Sequence, residues 1–323
     1  MNPLTEFDEL AQKFDERFEG VHFPEQPEKL YHAAQYLLTV KGKRVRPVLC
    51  LMANELFVPI TDDAFYAAQA IELFHNFTLV HDDIMDNAPL RRGQPTVHEK
   101  FGNSTAILAG DVMLVQAYEY LKKIDIGFLP QALTLFNNAA RKVCEGQELD
   151  IEFESMREIS LDQYIEMIGL KTSVLLAASL KMGALLGGAG TANQANLFEF
   201  GRNLGIAFQI QDDYLDAFGN PEKFGKKRGG DILANKKTFL LLQTINKVSG
   251  NQKIELERLL ALNDESKIEP MINLYRECGV DSWAREMKEK YFNLALEFLD
   301  EVAVRSQRKE PLRHLAYQLL NRE

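Results

Sequence analysis

Cysteine is scarce in this chain: three thiols in 323 residues, Cys50, Cys144 and Cys278, odd in number and far apart. That excludes a disulfide framework and a zinc-ligand pattern, and it leads us to expect core thiols in a reducing compartment. An excess of positive charge is also missing, since 37 Lys and Arg face 47 Asp and Glu for a net charge of −10. The basic residues are dispersed, so neither nucleic acid nor an anionic membrane surface is an expected partner. No apolar run approaches the roughly 20 residues of a membrane span, and the opening MNPLTEFDEL lacks a basic n-region and an apolar h-region. A cytoplasmic protein without stable membrane insertion is expected. Alternating β-branched runs bounded by turn dipeptides are absent as well, so no sheet is predicted.

Helical periodicity is what the chain has instead. In AFYAAQAIELFHNFTLVHDDIMD, residues Ala64, Ala67, Ala68, Ile71, Phe74, Thr78 and Leu79 recur at spacings of three and four. This predicts one long helix capped by Thr61 or Asp62. Four further stretches carry the same signal, over residues 104–123, 131–153, 161–187 and 192–218. Gly and Pro fall mostly between these segments, as at Gly187-Gly188, Gly219 to Pro221 and Gly229-Gly230. No low-complexity linker divides the chain, so the expectation is a single all-α domain over residues 1–323, built from roughly a dozen long helices. The more charged stretch from about residue 264 onward is expected to form a peripheral subdomain.

Two acidic clusters interrupt the apolar pattern. DDIMD at 82–86 and DDYLD at 212–216 each place Asp at i, i+1 and i+4 at the end of a largely apolar helix. On a helix, the i and i+4 carboxylates lie on one face, and without a cation such a like-charge pair costs about 0.2–0.5 kcal/mol. Carboxylates at a helix C-terminus also oppose the macrodipole. One such cluster is matched by many solvated helix ends, but the repeat at identical spacing points to a bound cation. Oxygen-only ligands suit a hard ion, and Mg²⁺ typically takes one or two protein carboxylates and completes its shell with water and phosphate oxygens. Basic residues supply the other half: Lys43, Arg44 and Arg46 in KGKRVRP, Arg91 and Arg92 in RRG, Lys171 before Thr172, and Lys226, Lys227 and Arg228 in FGKKRGGD. Arginine forks and lysine point charges suit diphosphate. FGKKRGG has neither the spacing nor the closing Lys-Ser/Thr of a Walker loop, so nucleotide hydrolysis is not expected.

GKRVRP at 42–47, LVHDDIMDNAPLRRGQPTVH at 79–98, GQELD at 146–150, the Lys171-Thr172 pair and FQIQDDYLDAFGNPEKFGKKRGGDILANKKT at 208–238 together resemble the trans-isoprenyl diphosphate synthases, or polyprenyl synthetases. The resemblance is ordered along the chain from about residue 40 to 240. It implies an all-α bundle of long helices around a deep central cavity, a homodimer, and head-to-tail condensation of isopentenyl diphosphate with an allylic diphosphate such as dimethylallyl, geranyl or farnesyl diphosphate. Carried over by motif position, Asp82, Asp86 and Asp212 would hold Mg²⁺, three ions per site with substrate bound, with Asp83 and Asp216 close by. Arg91, Lys171, Lys226 and Lys236 would contact the allylic diphosphate. Lys43, Arg46, His75 and Arg92 would bind the diphosphate of isopentenyl diphosphate. Thr172 and Gln209 would turn oxygen dipoles, and Phe208 an aromatic face, toward the carbocation. His81 is read as a partly buried helix histidine. The resemblance implies that released diphosphate takes the proton, so no protein base is assigned.

Chain length of the product is expected to be set on the helix before Asp82. One turn rises about 5.4 Å, close to one isoprene unit. Phe77 lies five residues upstream of Asp82, Thr78 four, and Phe74 a turn further down. In the family, one aromatic at the fifth position followed by Thr favours a C20 product, geranylgeranyl diphosphate, over C15 farnesyl diphosphate. The first motif also lacks the two-residue insertion of many bacterial C15 enzymes. Two other classes compete with this reading. A class I terpene cyclase would carry an Asn/Ser/Glu metal motif in place of DDYLD and would not need GKRVR and RRG. A non-catalytic regulatory subunit would have lost one Asp motif, and both are intact.

Overall fold

The computed structural model describes residues 5–40, 42–156, 158–219 and 228–320. The fold is all-α, and every long helix read from the sequence is present. In chain order the helices are α1 Glu6–Phe18, α2 Glu28–Thr39, α3 Val45–Glu55, α4 Asp62–Met85, α5 Val97–Phe101, α6 Asn103–Leu121, α7 Leu129–Ser155, α8 Leu161–Ile168, α9 Val174–Leu186 and α10 Thr191–Phe218. Then come α11 Gly230–Leu233, α12 Phe239–Lys247, α13 Asn251–Leu260, α14 Ile268–Glu277, α15 Val280–Asp300 and α16 Ser306–Leu320. Thr61 caps α4 as expected, its side chain accepting from the Ala64 N–H at 3.2 Å. Ser160 starts α8 with a reciprocal capping box to Gln163.

The chain divides into two compact units, residues 1–138 with 178–195, and residues 139–177 with 196–323. In the first, α4 is the central element and packs chiefly on α6 and α3. Its small residues Ala64, Ala67, Ala68 and Ala70 are fully buried and allow that close approach, while Ile71 and Phe74 fill the space between helices. In the second, one core joins Tyr164 and Met167 of α8, Ile206 and Ile210 of α10, Phe239 to Leu242 of α12, and Met271 to Tyr275 of α14. Phe239 stacks on Trp283 of α15 at 4.3 Å.

Four expectations need correction. The stretch from about residue 264 is not a separate subdomain, because its apolar residues Met271, Ile272, Leu274 and Val280 complete that shared core. A sheet does exist among the described residues, a minimal one: β1 Leu90–Arg91 pairs antiparallel with β2 Gln94–Pro95. Its two-residue turn has φ +52° at Arg92 and +76° at Gly93, the positive pair that defines a type I′ hairpin. Four residues are too few for a periodic signal. Of the thiols, Cys50 alone is buried; Cys144 is exposed and Cys278 intermediate. Finally, residues Leu161–Leu186 do form a helical stretch long and apolar enough to cross a membrane, but 78% of its apolar window is buried inside the protein. It is a core segment that the reading of single apolar runs overlooked.

Candidate functional site

The predicted residues fall into two groups, one in each unit. In the first unit, α4 delivers Asp82, Asp83 and Asp86 at its last turn, with Asp86 as C-cap residue. The three carboxylates differ: Asp83 is 1% exposed, Asp82 is half-buried and Asp86 is exposed. Arg91 clamps Asp83 with its Nε at 2.8 and 2.9 Å and its Nη2 at 2.6 Å, a fork-to-carboxylate arrangement. Asp83 and Arg91 are therefore bound to each other, and Asp82 and Asp86 form the outward pair. Among the described residues no three Asp, Glu, His or Cys converge on a common point. A cation here would draw its remaining ligands from water and phosphate, which is the habit of Mg²⁺ and fits this all-oxygen pair.

Two turns back along α4 from that pair, half-buried His75 and Arg46 lie close to the more exposed Arg92. Arg46 Nη1 reaches His75 Nε2 at 3.1 Å. A guanidinium has no lone pair to offer, so Nε2 must accept and His75 is neutral, with its proton on Nδ1. Burial, reinforced by the charges of Arg46, Arg92, Arg91 and Arg44, holds His75 well below the usual histidine range. Burial also lowers Arg46, to about 10, with Arg92 adding repulsion and Glu72 opposing it. The Arg46 Nε is buried and without a hydrogen-bond partner. Arg92 is likewise lowered by burial. Its Nη1 donates to the Val40 carbonyl at 3.1 Å, and a Cβ at Gly42 would stand 2.7 Å from that nitrogen. Like charges gathered under burial form a receptor for a multiply charged anion. Lys43 belongs to the same turn and is exposed beside Gly42.

In the second unit, Lys171 and Thr172 lie in a π-helical turn, Gly169–Ser173, between α8 and α9. The Val174 N–H reaches back to the Gly169 carbonyl, and Ser173 Oγ donates to the Ile168 carbonyl at 3.3 Å. Such turns insert one residue into a helix and are frequent at functional sites. A Cβ at Gly146 of α7 would lie 2.3 Å from the Lys171 backbone nitrogen, so only glycine allows this approach. One turn on, Asp150 receives Lys171 Nζ at 2.5 Å. Asp150 had no role in the sequence reading, yet the signal was there in GQELD: Gly146 and Asp150, at i and i+4, share one face of α7.

DDYLD splits as DDIMD does. Asp212 and Asp216 are half-buried, while Asp213 is 5% exposed and accepts from Tyr164 Oη at 2.6 Å, Gln209 Nε2 at 3.1 Å and the Phe239 N–H at 3.1 Å. Burial pushes Asp213 up to about 7 against the pull of those three donors. Gln209 donates an amide N–H to Asp213, and that bond does not use its oxygen, the atom expected to face a carbocation. Asp216 accepts the Asp231 N–H at 3.1 Å and ties the first turn of α11 to α10. Of the two lysines in ANKKT, Lys237 Nζ caps the end of α7 through the carbonyls of Phe153, Glu154 and Met156, whereas Lys236 is exposed. Thr172 and Phe208 are half-buried. Lys226 lies outside the described residues, and Arg228 pairs with Glu269.

The aromatics on α4 also separate. Phe74 is 1% exposed and packs edge-on against Phe136 at 5.4 Å. Phe77 is half-buried and leans on His81 at 4.7 Å, and Thr78 Oγ1 donates to the His75 carbonyl. His81 Nε2 bonds the Ile107 carbonyl at 3.1 Å, a structural role.

The polyprenyl synthetase family pattern matches residues 27–278. A short chain isoprenyl diphosphate synthase from Methanothermobacter thermautotrophicus is 37% identical over 324 residues, covering 100% of this chain and 98% of its own length. A geranylgeranyl diphosphate synthase from Methanosarcina mazei is 38% identical over 85% of this chain and 84% of its own length. The crystal structure of a geranylgeranyl pyrophosphate synthase superposes with a TM-score of 0.93 at 40% identity, covering 99% of this chain and all of that one.

Proposed function

Since the chain belongs to the polyprenyl synthetase family, we propose that it is a trans-prenyltransferase that adds isopentenyl diphosphate to allylic diphosphates and stops at geranylgeranyl diphosphate. The observation that carries this reading is the cluster of Arg46, neutral His75 and Arg92, two turns along α4 from an i, i+4 aspartate pair. A terpene cyclase has no use for a second, metal-free anion receptor.

In this reading Asp82 and Asp86 of the first unit and Asp212 of the second would hold Mg²⁺. The ion supplies charge neutralisation for the departing diphosphate, which is usually the largest catalytic contribution in such a site. Lys171, aligned by Asp150, and the exposed Lys236 bind the allylic diphosphate, with Lys226 in the same role by motif position. Lys43, Arg46, Arg92 and neutral His75 bind the diphosphate of isopentenyl diphosphate. Thr172 orients an oxygen toward the developing carbocation. Arg91 acts through Asp83: by taking up the middle carboxylate it leaves Asp82 and Asp86 to face outward. Gln209, anchored to Asp213 through its amide N–H, turns its oxygen toward the same carbocation. No side chain is assigned as base, and the proton goes to released diphosphate.

Phe77 is the floor for the growing chain, because it keeps partial exposure while Phe74 is sealed against Phe136. Residues 1–323 act as one functional domain, the family match running through both units. The active species is a homodimer joined through α6, which leaves Ile107, Leu108, Val115 and Tyr118 exposed at spacings that share one face. Three thiols far apart in the chain support a cytoplasmic location.

The test is incubation of purified protein with Mg²⁺, isopentenyl diphosphate and dimethylallyl diphosphate, with product length read by mass spectrometry. A C20 diphosphate is expected; absence of any elongated product overturns the reading. Phe77→Ala is expected to shift the product beyond C20, and an unchanged distribution would place the floor elsewhere.

A further inference from the structure

KGKRVRP contains one arginine that faces no substrate in the reading above. Arg44 has φ +50°, a left-handed backbone that is strained for a non-glycine residue. Its side chain is 8% exposed, yet it makes two ion pairs. Nη1 meets Glu72 Oε1 at 2.5 Å and Nε meets Asp15 Oδ1 at 2.8 Å, while the guanidinium lies 5.3 Å from the Phe18 ring centre. Glu72 is 4% exposed and also takes the Asn76 Nδ2 at 3.2 Å. Burial works against the Arg44 charge, and Glu72 and Asp15 more than offset it.

A buried ion pair of this kind is poor value as a stabiliser, because well-packed apolar residues of similar volume often do as well or better. What it does fix is geometry. Arg44 accepts the Val48 N–H at 3.1 Å and so opens α3, with Lys43 before it and Arg46 in the first turn. On α4, Glu72 and His75 stand at i and i+3 on one face. The start of α3 is therefore gripped at two points: Arg44 by Glu72 and Arg46 by His75. Glu72 is moreover an acid whose charge reaches both Arg46 and Arg92.

We propose that Glu72, acting through Arg44, is a positioning residue for the isopentenyl diphosphate site. It sets the direction in which Lys43 and Arg46 leave the Gly42–Arg46 turn, and it supplies the counter-charge for the neighbouring Arg46 and Arg92. It touches no substrate. The inference rests on the proposed function and adds to it a residue outside all the motifs.

Steady-state kinetics of Glu72→Gln, with each substrate varied at saturation of the other, provides the test. The KM for isopentenyl diphosphate is expected to rise about tenfold, corresponding to about 1.4 kcal/mol. The allylic KM and kcat are expected to stay within about twofold. Asn76→Ala, which removes a single hydrogen bond from the same carboxylate, is expected to give a smaller rise with the same selectivity, and serves if Glu72→Gln fails to fold. A parallel rise in both KM values, or lowered stability with an unchanged isopentenyl KM, overturns the positioning role while leaving the proposed activity in place. A wild-type protein that elongates nothing overturns both.

Discussion

Asp82 and Asp83 are neighbours with opposite fates, and they separate function from folding within two residues. Asp82→Ala removes a half-buried carboxylate and is expected to lower turnover by about 10²–10³-fold with the far-ultraviolet circular dichroism unchanged. Asp83→Ala strands Arg91 beside an emptied pocket and is expected to cost about 3–5 kcal/mol in urea unfolding, as breaking a buried pair does. From the sequence both were legible as members of an acidic motif. Which one faces outward was not, because that depends on where the next arginine lands. His75 yields a pH signature. Arg46 and burial keep it neutral when folded, so below about pH 6.5 the unfolded chain binds the extra proton. Stability should then fall as pH falls, by up to about 1.4 kcal/mol per pH unit from this group. His75→Gln is expected to flatten the loss of melting temperature between about pH 6.5 and 5; parallel profiles would mean that His75 carries charge in the folded state.

At the scale of elements, the long helices were readable because apolar residues at spacings of three and four leave a strong periodic trace. The π turn at Gly169–Ser173 was not, since one inserted residue in a 26-residue apolar stretch shifts the pattern by less than the pattern varies. Its consequence is testable at Gly146. A methyl there meets backbone rather than a yielding side chain, so Gly146→Ala should destabilise the protein by about 1–3 kcal/mol in urea. It should also lower kcat, because Lys171 and Thr172 ride on the displaced turn; loss of stability with full kcat would remove the turn from the mechanism. The DDYLD helix was legible as an element, but Asp213 as a tether to Tyr164 and the Phe239 N–H was not, because those partners are 49 and 26 residues away.

For the molecule as a whole, helical periodicity was enough for an all-α protein, and the motif order was enough for its family. The C-terminal stretch was misjudged because surface charge on α14 and α15 masks the apolar face that joins the core. Association belongs to this scale too. Val115 is 63% exposed at the middle of the apolar face of α6. If two copies meet there, light scattering should give twice the 36.8 kDa of one chain, and Val115→Glu should return the mass of one. A variant that keeps the double mass would move the interface off α6.

The smallest sheet in the molecule solves a problem the helices cannot. Arg91 and Arg92 are consecutive like charges, and on a helix they would stand about 100° apart and crowd each other. A hairpin tip sends its strand residue and its turn residue in different directions, one to Asp83 and the other to the Val40 carbonyl. Four residues of β structure and their two-residue turn thus act as a switchyard. Deletion of Gly93 would leave both arginines in the sequence while rerouting them, giving a protein with every motif letter nearly intact and each charge delivered to the wrong address.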